Sequence, residues 1–267
     1  MSAAAETSEA KPGQLALIDT HLHLDAAEFD ADREHVIARA RAAGVTRFVL
    51  PAVEVSNFET VRSLARSLPG SVFALGIHPL YVNRAQESDI EVLRAQLSQG
   101  DACAVGEIGL DGFEPDGDPE RQEWFFNAQL KLAREFDLPV ILHVRRAQDR
   151  VLKYLRRHKL RGGIAHAFNG SRQQAQAFID LGFKLGFGGA MTYSGSTRIR
   201  ELAATLPLES IVLESDAPDI PPAWLPQGRN EPAEVRRFAE VLAELRGLET
   251  TVLVARTSAN ACEVLNP

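Results

Sequence analysis

The chain has 267 residues, of which 45 % are hydrophobic and 24 % charged, and a formal net charge of −7. It is long enough for a sizeable core, and no apolar run approaches the ~20 residues that span a bilayer. Its acidic balance argues against a surface coated for nonspecific duplex binding but leaves room for one local cleft that holds nucleic acid.

Residues 1–13 are rich in Ala, Glu and Ser and lack an apolar centre, which predicts a frayed tail rather than a signal peptide. Residues 14–267 read as one domain with no repeat and no linker. The two cysteines, Cys103 and Cys262, exclude a disulfide framework and a thiolate zinc cluster, and fit a reducing cytoplasm.

The first strand-like run, 15–20, leads into His21-Leu22-His23, where a period of two points both imidazoles the same way. A helical pattern over 31–43 precedes a second run at 47–51, and another over 57–68 precedes a third at 72–76. That third run leads to His78 and Pro79. The fourth, 103–108, carries Glu107 near its end, and a helix is predicted over 119–136. The fifth, 139–143, ends on His143, with Arg145 two residues beyond.

The basic stretch 145–161 reads as a helix with a solvated outer face, its Val151, Leu152, Tyr154 and Leu155 turned to the barrel. The sixth run, 163–166, ends on His166, and a helix is predicted over 172–181. The seventh, 183–187, meets Gly186-Phe187-Gly188-Gly189, which is no dinucleotide motif because no helix start follows in register. The eighth, 211–214, leads to Ser215 and Asp216, and a last helical pattern covers 232–246.

Short, continuous apolar strands alternating with helices predict a TIM-type (β/α)8 barrel. A doubly wound sheet is the alternative, but no glycine-rich phosphate loop follows the first run. In a barrel all strand ends open onto one mouth. Five of the seven histidines (His21, His23, His78, His143 and His166) sit at such ends, while His35 and His158 fall in polar helical segments and read as solvated. With Glu107 and Asp216, this converging nitrogen and oxygen set suits Zn, Mn, Co, Ni or Fe. Leaving His78 aside, these six ligand-type residues exceed one tetrahedral site and fit two divalent ions, with Glu107 between them and Asp216 orienting water.

These motifs together resemble the TatD family of metal-dependent hydrolases, within the amidohydrolase-like superfamily. The resemblance rests on residues 19–25 (DTHLHLD), 76–79 (GIHP), 106–111 (GEIGLD), 138–143 (LPVILH), 166–171 (HAFNGS), 214–218 (ESDAP) and 229–232 (RNEP). It implies metal ligands at His21, His23, Glu107, His143, His166 and Asp216, with Glu107 and Asp216 catalytic. It implies a pair of divalent ions (Zn, Mn, Mg, Co or Ni) and substrate contacts at His78, Arg145, Arg229 and Asn230. The activity it implies is a deoxyribonuclease, a 3′-5′ exonuclease on single-stranded DNA. The sequence itself points to no membrane and no obligate protein partner, and nothing in it demands an oligomer, so a monomer is expected. Two positions near the mouth depart from the family pattern: Gly112 stands where an aromatic is common, and Ala167 where a cysteine is common.

The alternative activity is that of an amidohydrolase on a cyclic amide, lactone or ester, but no lysine ends any predicted strand to bridge two metals. A metal-binding scaffold without catalysis is the third reading, disfavoured by the intact ligand set. Three side chains stay open at this point. Asp25 either orients His23 or is an exposed turn or helix-cap residue, Asp111 either supports the site or turns a loop, and Trp224 either stacks on a base or fills a gap.

Overall fold

A computed structural model of the chain describes residues 16–115 and 117–265, so the tail expected at 1–13 lies outside the described residues. Eight strands form one parallel sheet in sequence order. They are β1 (Leu17–Asp19), β2 (Val45–Pro51), β3 (Val72–Leu75), β4 (Ala104–Asp111), β5 (Val140–Arg145), β6 (Gly163–Ala165), β7 (Phe183–Phe187) and β8 (Ile211–Leu213). The seam between first and last strands is closed by Thr20, whose backbone N–H and hydroxyl both donate to the Leu213 carbonyl, at 3.1 and 3.0 Å. The fold is a TIM-type barrel, as the alternation predicts.

Nine α-helices surround it among the described residues. They are α1 (Arg33–Ala42), α2 (Phe58–Ser67), α3 (Asp89–Leu97), α4 (Pro119–Glu135), α5 (Gln148–His158), α6 (Arg172–Asp180), α7 (Thr197–Thr205), α8 (Val235–Arg246) and α9 (Thr250–Leu265). None is long and apolar enough to cross a membrane. The helices α3, α7 and α9 lie beyond the patterns named from sequence. The first two are short, and α9 buries residues such as Leu253, Val254, Thr257, Ala261 and Leu265, which blurs any polar face.

The barrel interior is a narrow apolar layer of Ile18, Val49, Ala74, Ala104, Ile141, Ile164 and Val212, closed from below by Ala261 and Leu265 of α9. Strand β7 places Lys184 beside Ile164 in register, and its ammonium reaches Glu263 of α9 at 2.8 Å. On β3, β5 and β6 every second residue above this layer points into the mouth, whereas after β1 the parity slips, since Ile18 faces the inner layer and His21 and His23 reach the mouth. That parity carries β3 from Ala74 to His78, β5 from Ile141 to His143 and β6 from Ile164 to His166.

Strand β4 breaks the parity. Its register against β5 shifts between Val105 and Ile108, so Ile108 rejoins the outer core and Glu107 turns inward. The Glu107 N–H is then bonded to the Ala52 carbonyl across the barrel at 3.0 Å. Two glycines allow this path. A Cβ on Gly76 would stand 2.7 Å from the Gly106 carbonyl carbon, and one on Gly106 would stand 2.7 Å from the Ile141 Cβ.

Candidate metal centre

Glu107 is 1 % exposed, and its two carboxylate oxygens face two different sets of imidazoles. Oε2 lies 3.1 Å from His21 Nε2 and 3.5 Å from His23 Nε2. Oε1 lies 2.9 Å from His166 Nε2, 3.1 Å from His143 Nδ1 and 3.3 Å from His78 Nε2. Asp216 Oδ1 sits 3.6 Å from His21 Nε2 and 3.9 Å from His23 Nε2. The rings of His21 and His166 stack at 3.9 Å.

The segments bearing these groups are tightly held. Beyond β1, the Leu22 N–H bonds to Val49 of β2 and the His23 N–H to Ala217 beyond β8, while the His21 carbonyl accepts from Asp216. Asp216 has φ +57°, a conformation costly for a non-glycine residue and typical of functional sites. Ala167, beside His166, has φ +43°.

The donors match a divalent metal. His21, Glu107 and His166 each offer an atom within 4.8 Å of the others, as do His21, His23 and Asp216, and also His78, Glu107 and His143. Nδ1 of His21, Nδ1 of His166 and Oε2 of Glu214 are buried without a hydrogen-bond partner. Unpartnered polar atoms around a nitrogen-and-oxygen set are what a bound cation would satisfy.

The chain matches the family described as TatD related DNase over residues 18–266. It is 44 % identical over 232 residues to the metal-dependent hydrolase YjjV of Escherichia coli K12, covering 86 % of this chain and 90 % of that one. The crystal structure of that TatD homolog superposes with a TM-score of 0.91 at 41 % identity, covering 94 % of this chain and 98 % of the other. A Salmonella typhimurium relative named 3′-5′ ssDNA/RNA exonuclease TatD is 34 % identical over 252 residues, covering 92 % of this chain and 97 % of its own.

The chain belongs to the TatD family. It is a TatD-type metal-dependent hydrolase.

Within this TatD barrel the cluster shares its charge unevenly. Burial pulls His21 down to about 3 and His78 down to about 4. Burial also works against charge on His166 and His23, but the carboxylates of Glu107 and Asp216 prevail and push them up to about 10 and about 9. Burial raises Glu107, yet the surrounding imidazoles hold it well below the usual carboxylate range.

His78, expected to touch substrate, is only 6 % exposed. Its Nδ1 accepts the Leu80 N–H at 3.2 Å, which places the ring proton on Nε2, facing Glu107. Gln129 of α4 fixes the approach, bonding both the N–H and the carbonyl of Ile77.

The cleft over the cluster encloses about 1130 Å³. Arg145 lines it as expected; Arg146, expected on the solvated face of the basic stretch, lies before α5 and lines it too, as does Arg198. Arg229 and Asn230 do not line it, against expectation. Arg229 grips both oxygens of Asp32 at 2.8 Å and Glu231 at 2.8 Å. Asn230 is fully buried and donates to the carbonyls of Ser215, Asp219 and Ile220, bracing the loop after β8.

Asp111 does both of its expected jobs: Oδ2 meets His143 Nε2 at 2.9 Å, and Oδ1 accepts the N–H groups of Phe113 and Glu114. Asp25 lies in a turn, half-buried rather than exposed, and accepts from Asn57 at 2.9 Å instead of bonding His23. Trp224 bonds Glu234 and packs on Arg237 and Phe238, so it fills the space under its loop. His158, expected in solvent, is 9 % exposed and pairs with Asn127 at 2.9 Å. Glu214 fills the space left by Gly186, where a Cβ would stand 2.0 Å from its Oε2, and it accepts the Ala167 N–H.

Proposed function

We propose that this TatD barrel is a phosphodiesterase with two divalent ions that removes nucleotides from the 3′ end of single-stranded nucleic acid, DNA foremost. The observation that carries the reading is the division of labour at Glu107, one oxygen facing His21 and His23 and the other facing His143 and His166. A carboxylate so placed suits a bridge between two ions. His21, His23 and Asp216 would hold one, and His143 and His166 the other. Ions there would supply charge neutralisation for a phosphodiester and lower the pKa of water toward ~7.

The protein's own groups do the rest. Asp216, 9 % exposed at the floor of the cleft, orients the attacking water and accepts its proton. Arg145, Arg146 and Arg198 form no ion pair with another described residue, which leaves three guanidiniums for substrate phosphates in an otherwise acidic chain. His78 donates to Glu107 and holds its carboxylate in place. Attack by water at phosphorus breaks the bond to the 3′ oxygen of the shortened strand, which leaves as a hydroxyl after taking a proton.

No lysine lines the cleft among the described residues, which weighs against a carboxylated-lysine amidohydrolase. The Salmonella relative's name, an exonuclease on single-stranded DNA and RNA, points the same way. The reading is tested by offering 3′-labelled single strands, duplexes, and a lactone or cyclic amide panel to the protein with each candidate metal. Release of nucleotides from the single strand supports it; exclusive turnover of the lactone or amide overturns it.

A further inference from the structure

Phe113 is 43 % exposed at the rim of the cleft, an apolar ring among polar neighbours. The Arg145 guanidinium carbon lies 3.7 Å from its ring centroid and that of Arg146 lies 4.4 Å away. We propose that Phe113, with these two guanidiniums, is the seat for the unpaired base of the substrate's terminal nucleotide, an assignment that rests on the nuclease reading above.

The ring is held at a fixed place relative to the metal-ligand cluster. Asp111 accepts the Phe113 N–H through Oδ1 at 2.7 Å while its Oδ2 meets His143 at 2.9 Å. The Gly112 N–H is bonded to the Arg145 carbonyl at 2.7 Å, tying the ring's loop to the strand that carries both His143 and Arg145. Arg146 turns through φ +51° to follow it. A Cβ on Gly112 would stand 2.7 Å from the Arg146 carbonyl oxygen. An aromatic at 112 therefore does not fit this path, and the chain carries its ring one position later.

A flat apolar ring flanked by guanidiniums has one fitting partner beside a phosphodiester site. A nucleobase stacks on the ring and the cationic planes, while its phosphate takes charge-assisted hydrogen bonds from the same arginines. A base at a duplex end is already paired and stacked, so only an unpaired end can be laid on Phe113. The seat thereby gives preference for single strands without reading sequence, because every base presents a π face.

The test is steady-state kinetics of the metal-loaded protein on two single-stranded oligonucleotides, identical except that one ends in an abasic nucleotide. The wild type is expected to show a KM about tenfold lower for the base-bearing end, with a much smaller change in kcat. Phe113→Ala is expected to erase that distinction and Phe113→Trp to keep it. Trp124→Ala, an exposed ring outside the cleft, is expected to keep it as well. Equal KM values for the two ends in the wild type, or undiminished discrimination in Phe113→Ala, overturn the assignment while nucleotide release itself stands. No release from either strand overturns the nuclease reading and this seat with it.

Discussion

Asp111 Oδ2 and His143 Nε2 stand 2.9 Å apart, on the side of the imidazole away from Glu107. Nδ1 of the same ring is 3.1 Å from Glu107 Oε1, so one histidine spans two carboxylates. A carboxylate behind an imidazole fixes its tautomer and raises its basicity as a ligand. Asp111→Asn is expected to weaken metal retention about 10- to 100-fold. Titration with a competing chelator measures this directly, and unchanged retention contradicts the role.

His78 acts on the other side of the cluster. With its Nε2 proton facing Glu107, it is proposed to orient the carboxylate rather than to bind the ion itself. His78→Gln retains a donor and is expected to keep most of the bound metal, whereas His78→Leu is expected to lose about tenfold in affinity, as removal of supporting partners generally does. Equal loss in both variants would assign His78 to direct ligation.

Asp216 is the group assigned to the proton of the attacking water. Asp216→Asn is expected to lower kcat by about 10²- to 10⁴-fold. Without metal, the variant should unfold no lower than the metal-free wild type, because the substitution removes a buried carboxylate that faces Glu107. Turnover within a few-fold of wild type removes the assignment.

Arg229 separates a structural arginine from a substrate-binding one. Its guanidinium is bound to Asp32 and Glu231, caps the Glu28 carbonyl and covers Phe29. Arg229→Ala is expected to cost about 1–2 kcal/mol of stability, discounted for partial exposure. Its KM for oligonucleotide is expected to stay near that of the wild type. Arg145→Ala is expected to do the reverse, raising KM with little effect on unfolding.

Much of this was legible in the sequence because a parallel barrel obeys simple parity. From Ile141 to His143, and from Ile164 to His166, one inward residue follows another at a period of two. Two places are exceptions: strict alternation from Ile18 would turn His21 and His23 outward, and strict alternation from Ala104 would do the same to Glu107. The inward turn of Glu107 depends on the register shift between β4 and β5, a long-range property that no local pattern reports. Its place in the sequence at a strand end was visible, but its position between two sets of imidazoles was not.

The misplaced residues share a cause. Arg229 and Asn230 follow β8 in sequence, and the loop they brace lines the mouth, yet their side chains point to partners 197 and 15 residues away. His158 looks solvated in a basic helix, but α5 turns it onto Asn127 of α4. Phe113 is hidden in the sequence by Gly112, because a local motif does not distinguish an absent aromatic from one shifted by a residue.

The Glu107 cluster is proposed to be the metal centre of a nuclease. The most direct measurement is release of label from a 3′-labelled single strand, with metal content determined on the same sample before and after chelation. Nucleotide release with bound metal, its loss after chelation and its return on adding a divalent ion are the result expected. A protein that binds no divalent ion, or that leaves the strand intact when fully loaded, contradicts the account.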